Sequence, residues 1–189
     1  MTTALDILND APRAEALAMI APLAERSPWV AEAALGARPF ESDEALARAL
    51  VEAILSSSRE TRIALFRAHP ALAGREAAEG SMTAESTCEQ GRLGLLSLSA
   101  ADAARLGRLN AAYAARFGHP FILALHRIPD LGALFDIFER RLRATPLEEH
   151  ASTLAEIASV IRSRAAEAFG AAAANKTATP SNTPREQAQ

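Results

Sequence analysis

Three side chains with acid–base and hydrogen-bonding chemistry recur at helical spacing in the segment SMTAESTCEQGRLG. Ser86, Glu89 and Gln90 fall at i, i+3 and i+4, so a helix here carries a hydroxyl, a carboxylate and an amide on one face. Cys88 projects roughly 200° from Ser86 at about 100° per residue, off that face, and reads as a packing residue and not a nucleophile. The same spacing also describes the polar outer face of an exposed helix. Upstream, LFRAHPALAG sets His69 directly before Pro70. Proline drives its predecessor out of the α region, so the helix carrying Ile63 and Phe66 should end there. The negative end of the helix dipole favours an imidazolium, and an ordinary pKa of about 6.5 suits proton exchange at neutral pH. The plainer alternative is a histidine that caps the last carbonyls.

Two further segments offer binding groups. Gly118 and Pro120 break a helix before an apolar run of Phe121, Ile122, Leu123, Ala124 and Leu125. Backbone groups freed at such a break can bind a small polar ligand while the side chains exclude water. A tight turn leading into core fits the run equally well. His119 and His126 are seven residues apart, a spacing with no metal-binding logic, and no metal site is assigned. Glu156, Arg162 and Arg164 share the last long helix, where an arginine beside an apolar face can clamp a carboxylate. Helix geometry does not choose between Arg164 and Arg162.

The elements that must position these groups read as helices throughout. Leu46, Leu50, Val51, Ile54 and Leu55 follow a 3.6-residue repeat behind Ser42, a good N-cap. Leu106, Leu109, Tyr113 and Phe117 form a second stripe, opened by a Ser99–Asp102 box and stopped at Gly118. Leu131, Leu134, Phe135, Phe138 and Leu142 form a third, capped by Asp130. Thr145, Pro146 and Glu148 mark the start of a last helix whose apolar face holds Leu154, Ile157, Val160 and Ile161. The expectation is an all-α protein, one multi-helix domain over 1–170, with a disordered tail over 171–189.

Composition narrows the function. The 189 residues are 49% hydrophobic, enough for one buried core, and the net charge of −3 with scattered arginines argues against nucleic-acid or anionic-membrane partners. A single cysteine permits no internal disulfide. Asp6, Asp10 and Glu15 interrupt the early apolar stretch, so no signal peptide is expected, and a soluble cytoplasmic protein is the default. The only lysine, Lys176, lies in the polar tail, which leaves no buried amine for pyridoxal phosphate or a substrate imine. There is no phosphate loop, cysteine pair or H-E-x-x-H arrangement. An enzyme built this way works with side chains alone.

Taken in order, SPWVAEAALGARPF (27–40), RAHPALAG (67–74), ESTCEQ (85–90), LNAAYAARFGHPF (109–121) and EIASVIRSR (156–164) resemble the OHCU decarboxylase family. The resemblance implies decarboxylation of 2-oxo-4-hydroxy-4-carboxy-5-ureidoimidazoline to (S)-allantoin and carbon dioxide, the last step from urate to allantoin, without a cofactor. It implies catalytic roles for His69 and Glu89. Pro70, Ser86, Gln90, the Phe121–Leu125 run and Arg164 would contact substrate, and the chain would form a homodimer. Ala165 departs from the leucine usual after the family's arginine. No segment resembles the transthyretin-like domain of some relatives, so no hydrolase activity is implied. The competing expectations are a helical scaffold that keeps the fold without the chemistry, and a metal-dependent lyase using His69, His119 and His126.

Overall fold

Short oxygen-bearing side chains ahead of the apolar repeats set where the longer helices begin. The computed structural model describes residues 2–170; the expected tail at 171–189 lies outside the described residues. The helices are α1 (Ala4–Asp10), α2 (Arg13–Ile20), α3 (Pro28–Ala34), α4 (Asp43–Leu55), α5 (Arg59–Ala68), α6 (Arg75–Glu79), α7 (Ala84–Arg92), α8 (Ala100–Phe117), α9 (Leu131–Leu142) and α10 (Pro146–Phe169). Ser42 Oγ accepts from the N–H of Ala45 at 3.1 Å, and Asp130 Oδ1 from Ala133 at 2.8 Å. Thr145 and Glu148 form the full reciprocal box. At Ser99 only half of it forms: the hydroxyl accepts from the Asp102 N–H, while the Asp102 carboxylate takes the hydroxyl proton and not the backbone N–H. Gly118 closes α8 at φ +76°, a left-handed angle that costs glycine nothing.

Two apolar cores result. The first joins α1–α4 with Leu65 and Phe66 of α5 and with Ile157 and Ile161 of α10, and α10 lies along α4. The second joins Leu106 and Tyr113 of α8, Leu134, Phe135 and Phe138 of α9, and the segment after α8. Fully burying a side chain of this size contributes about 1.5–3 kcal/mol, so either cluster far outweighs any single cap. The non-helical run from Phe121 to Ala124 lies between them. Ile122 packs into the first core, whereas Phe121, Leu123 and Leu125 pack into the second, and Phe121 stacks on Phe138 with ring centres 3.8 Å apart. Alternation of this kind is what extended backbone dictates.

Candidate active site

His69 caps α5 with extended backbone (φ −74°, ψ 141°), as the following proline requires. Its Nδ1 lies 3.0 Å from the carbonyl oxygen of Leu65, one turn back. A carbonyl only accepts, so Nδ1 carries the proton and neutral Nε2 keeps a free lone pair. Burial of the ring pushes its pKa down to about 4, against the upward pull of the Leu65 carbonyl and the Glu25 carboxylate. The expectation of a favoured imidazolium at the helix end is therefore reversed, because desolvation outweighs the dipole. At neutral pH this imidazole is a neutral acceptor.

Across the cleft, α7 turns Ser86 and Gln90 inward as buried residues, with Glu89 partly buried beside them. Cys88, expected to pack, is exposed instead, because the short α7 buries only the opposite face. Arg164 reaches in from α10. Its Nε and Nη2 donate to the two oxygens of Glu89 at 2.7 and 3.1 Å, and its Nη1 donates to Glu25 Oε2 and to the carbonyl of Pro22, both at 3.2 Å. Burial alone would lower the guanidinium pKa, but the hydrogen bond and charge of Glu89, with Glu25, hold it above its ordinary value. Four of its five N–H groups are thus committed within the protein, leaving one for a ligand. Arg162 settles the other way: it is exposed and pairs loosely with Glu44 at 3.4 Å.

His69, Pro70, Ser86, Glu89, Gln90, Phe121, Ile122, Leu123, Leu125 and Arg164 line one cleft of about 390 Å³, open mouth included, together with Leu72 and Val160. Ala124 is the exception among the expected residues. It is fully buried outside that lining, and its N–H donates to Glu156 Oε2 at 2.9 Å. Neither Gln90 amide atom is idle: Oε1 accepts from the Ala73 N–H at 2.8 Å and Nε2 approaches Met82 Sδ at 3.2 Å, which fixes the turn after Pro70. The N–H groups of Ile122, Leu123 and Leu125 have no acceptor among the described residues. Buried amides without partners cost free energy until a ligand supplies one.

The histidines do not gather as a metal set. His119 packs edge-on against Phe66 with Nδ1 near the Pro120 carbonyl, and the exposed His126 approaches Ser159 Oγ at 3.3 Å. Among the described residues no group of three or more His, Cys, Asp or Glu side chains could hold a metal ion.

One residue central to the site has no counterpart in the sequence motifs. Glu25, in the turn before α3, is 4% exposed and accepts from Ser86 Oγ at 2.9 Å, from Thr83 Oγ1 at 2.9 Å and from Arg164. It belongs to no periodic pattern, and its only local signal is its place just ahead of the Ser27–Pro28 helix start.

The family model described as OHCU decarboxylase matches residues 9–166. A mouse 2-oxo-4-hydroxy-4-carboxy-5-ureidoimidazoline decarboxylase is 38% identical over 152 residues, covering 79% of this chain and 83% of that one. A protein of the same name from Haloferax volcanii is 39% identical over 146 residues, covering 77% and 83%. A crystal structure of (S)-allantoin synthase superposes with a TM-score of 0.69 at 25% identity, over 87% of this chain and 54% of that longer one. With this match running from α1 to α10 across every wall of the cleft, the chain belongs to the OHCU decarboxylase family.

Proposed function

We propose that this cleft decarboxylates 2-oxo-4-hydroxy-4-carboxy-5-ureidoimidazoline to (S)-allantoin and carbon dioxide in urate degradation, using protein groups alone. The observation that carries the proposal is a neutral imidazole with Nε2 free, sharing one small cleft with Ser86, Glu89 and unpartnered wall amides.

The substrate explains the economy of the site. Its carboxylate is on a carbon next to a ring C=N, so the electrons of the breaking C–C bond move into that double bond as carbon dioxide leaves. The ring nitrogen takes a proton, and an enol remains. His69 Nε2 then accepts the hydroxyl proton as the enol becomes a carbonyl, and the ureido-bearing carbon gains a proton on one face. Glu89, held on two oxygens by Arg164, is the second acid–base group. Ser86 and the N–H groups of Ile122 and Leu123 hold the ring and ureido groups. Arg164 offers its one remaining N–H to a substrate oxygen, and Pro70 and Phe121 form the apolar walls.

One domain over 1–170, a homodimer and a cytoplasmic location complete the proposal. The domain rests on the helical pattern that runs to Gly170, the location on composition, and the homodimer, which sedimentation tests, on the family resemblance. Among the described residues no helix is long and apolar enough to cross a membrane.

The decisive experiment is stereochemical, because the free substrate also decays to racemic allantoin. Circular dichroism should develop an (S)-allantoin signal with the wild type. His69→Asn should lose at least about 10²-fold in kcat, the usual contribution of general acid–base catalysis, with its fold intact. A racemic product with the wild type overturns the activity. Near-normal turnover in His69→Asn removes the imidazole from the mechanism.

A further inference from the structure

Behind the wall formed by Phe121–Leu125, outside the cleft, lies a buried ion pair that the chemistry above does not use. Arg141 of α9 and Glu149 of α10 are 7% and 1% exposed. Nε and Nη2 of Arg141 donate to the Glu149 carboxylate, and Nη2 also donates to Thr153 Oγ1 at 3.1 Å. Tyr113 of α8 donates its hydroxyl to the same carboxylate, and burial with that hydrogen bond raises its pKa, so it remains a donor. Pairs of this kind add little net stability, since desolvation offsets their attraction. This one does something else with its last nitrogen: Nη1 donates to the carbonyl of Ile122 at 2.7 Å.

Ile122 sits in the middle of the wall. Its carbonyl belongs to the same peptide unit as the N–H of Leu123, one of the amides without an acceptor among the described residues. Because that unit is planar, fixing the oxygen fixes the direction of the N–H. Two neighbouring bonds hold the rest of the segment: Glu156 accepts from Ala124, and Arg92 of α7 donates to the Leu125 carbonyl. Arg141 alone of the three is buried within a network that sets its own orientation. The non-helical stretch that ends at the Leu125–Arg127 turn is thereby held at Ile122, Ala124 and Leu125.

We propose that Arg141 is a positioning residue for this reaction. Its guanidinium, oriented by Glu149, Tyr113 and Thr153, fixes the Ile122–Leu123 peptide and so aims the wall amide at the substrate. The inference rests on the proposed function for its catalytic consequence, but not for its structural one.

Arg141→Lys separates the two. Lysine keeps the charge beside Glu149 but lacks the planar fork that reaches carboxylate and carbonyl together. Amide hydrogen exchange should quicken roughly tenfold or more at Ala124, the hydrogen-bonded amide of the segment, while the α4 and α10 amides keep their protection. KM should rise about tenfold with kcat within about threefold, because the wall amide binds ground and transition states alike. A folded Arg141→Lys protein with wild-type exchange in the segment and wild-type KM overturns the proposal. Should that variant fail to fold, Tyr113→Phe and Thr153→Val loosen the network without removing the pair, and unchanged exchange in both overturns it equally. Absence of wild-type turnover would defeat the proposed activity and leave the exchange result to decide the positioning.

Discussion

Ser86 donates its hydroxyl proton to Glu25 Oε2 at 2.9 Å, so what the serine presents to the cleft is lone pairs. It can therefore only accept from a ligand, which selects an N–H of the ureido or ring group as its partner. Ser86→Ala should raise KM and lower kcat/KM about fivefold to tenfold, the worth of about 1 kcal/mol from one neutral hydrogen bond. Steady-state kinetics decide it, and an unchanged KM would remove Ser86 from substrate contact.

The Glu25 carboxylate pulls the His69 pKa upward against burial. Glu25→Gln keeps hydrogen-bonding oxygen at the same place but removes the charge, so the imidazolium loses a compensating anion. The His69 titration followed by ring-proton NMR should then move below its wild-type midpoint. A midpoint that rises or stays would mean that Glu25 does not act on this ring electrostatically.

Two arginines two residues apart should behave in opposite ways. Arg164→Ala leaves Glu25 buried without its cation, and breaking a buried pair from one side costs about 3–5 kcal/mol of stability, with activity lost as Glu89 goes free. Arg162→Ala removes only an exposed contact at 3.4 Å and should change stability by less than about 0.5 kcal/mol. Urea unfolding of both variants tests this, and equal costs would contradict the assignment.

The neutral His69 also couples folding to pH. Its folded pKa of about 4 lies below the unfolded value of about 6.5, so between those limits the unfolded chain binds the extra proton. Stability from this residue is complete above about pH 6.5 and is lost as pH falls toward 4. His69→Asn should flatten that part of the stability curve. Identical slopes for the two proteins in urea titrations at pH 4.5, 5.5 and 7 would show that the imidazole is not held neutral by the fold.

The longer helices and most of the cleft were legible because each depends on local rules. Ser42, Asp130 and Thr145 cap the helices directly after them, Pro70 ends α5, and the 86–89–90 spacing puts three groups on one face of α7. Glu25 and Arg141 were not, because a buried carboxylate or guanidinium looks like a surface one until its distant partners are known. Ser86 is 61 residues from Glu25, and Ile122 is 19 from Arg141. Helix geometry left Arg164 and Arg162 open for the same reason: only the packing of α10 onto α4 and the reach of Arg164 to Glu89 on α7 decide which side of the helix is inside. The polarity of the His69 site misled too, since dipole reasoning sees the end of α5 but not the bodies that dry it.

The alternation of Ile122 with Phe121, Leu123 and Leu125 makes the segment a suture between two separately packed bodies, and the substrate would lie along the stitch. The gap a ligand meets is then set by how both bodies settle against one ribbon of backbone. Substitutions deep in either half, far from any reacting atom, become means of widening or narrowing it.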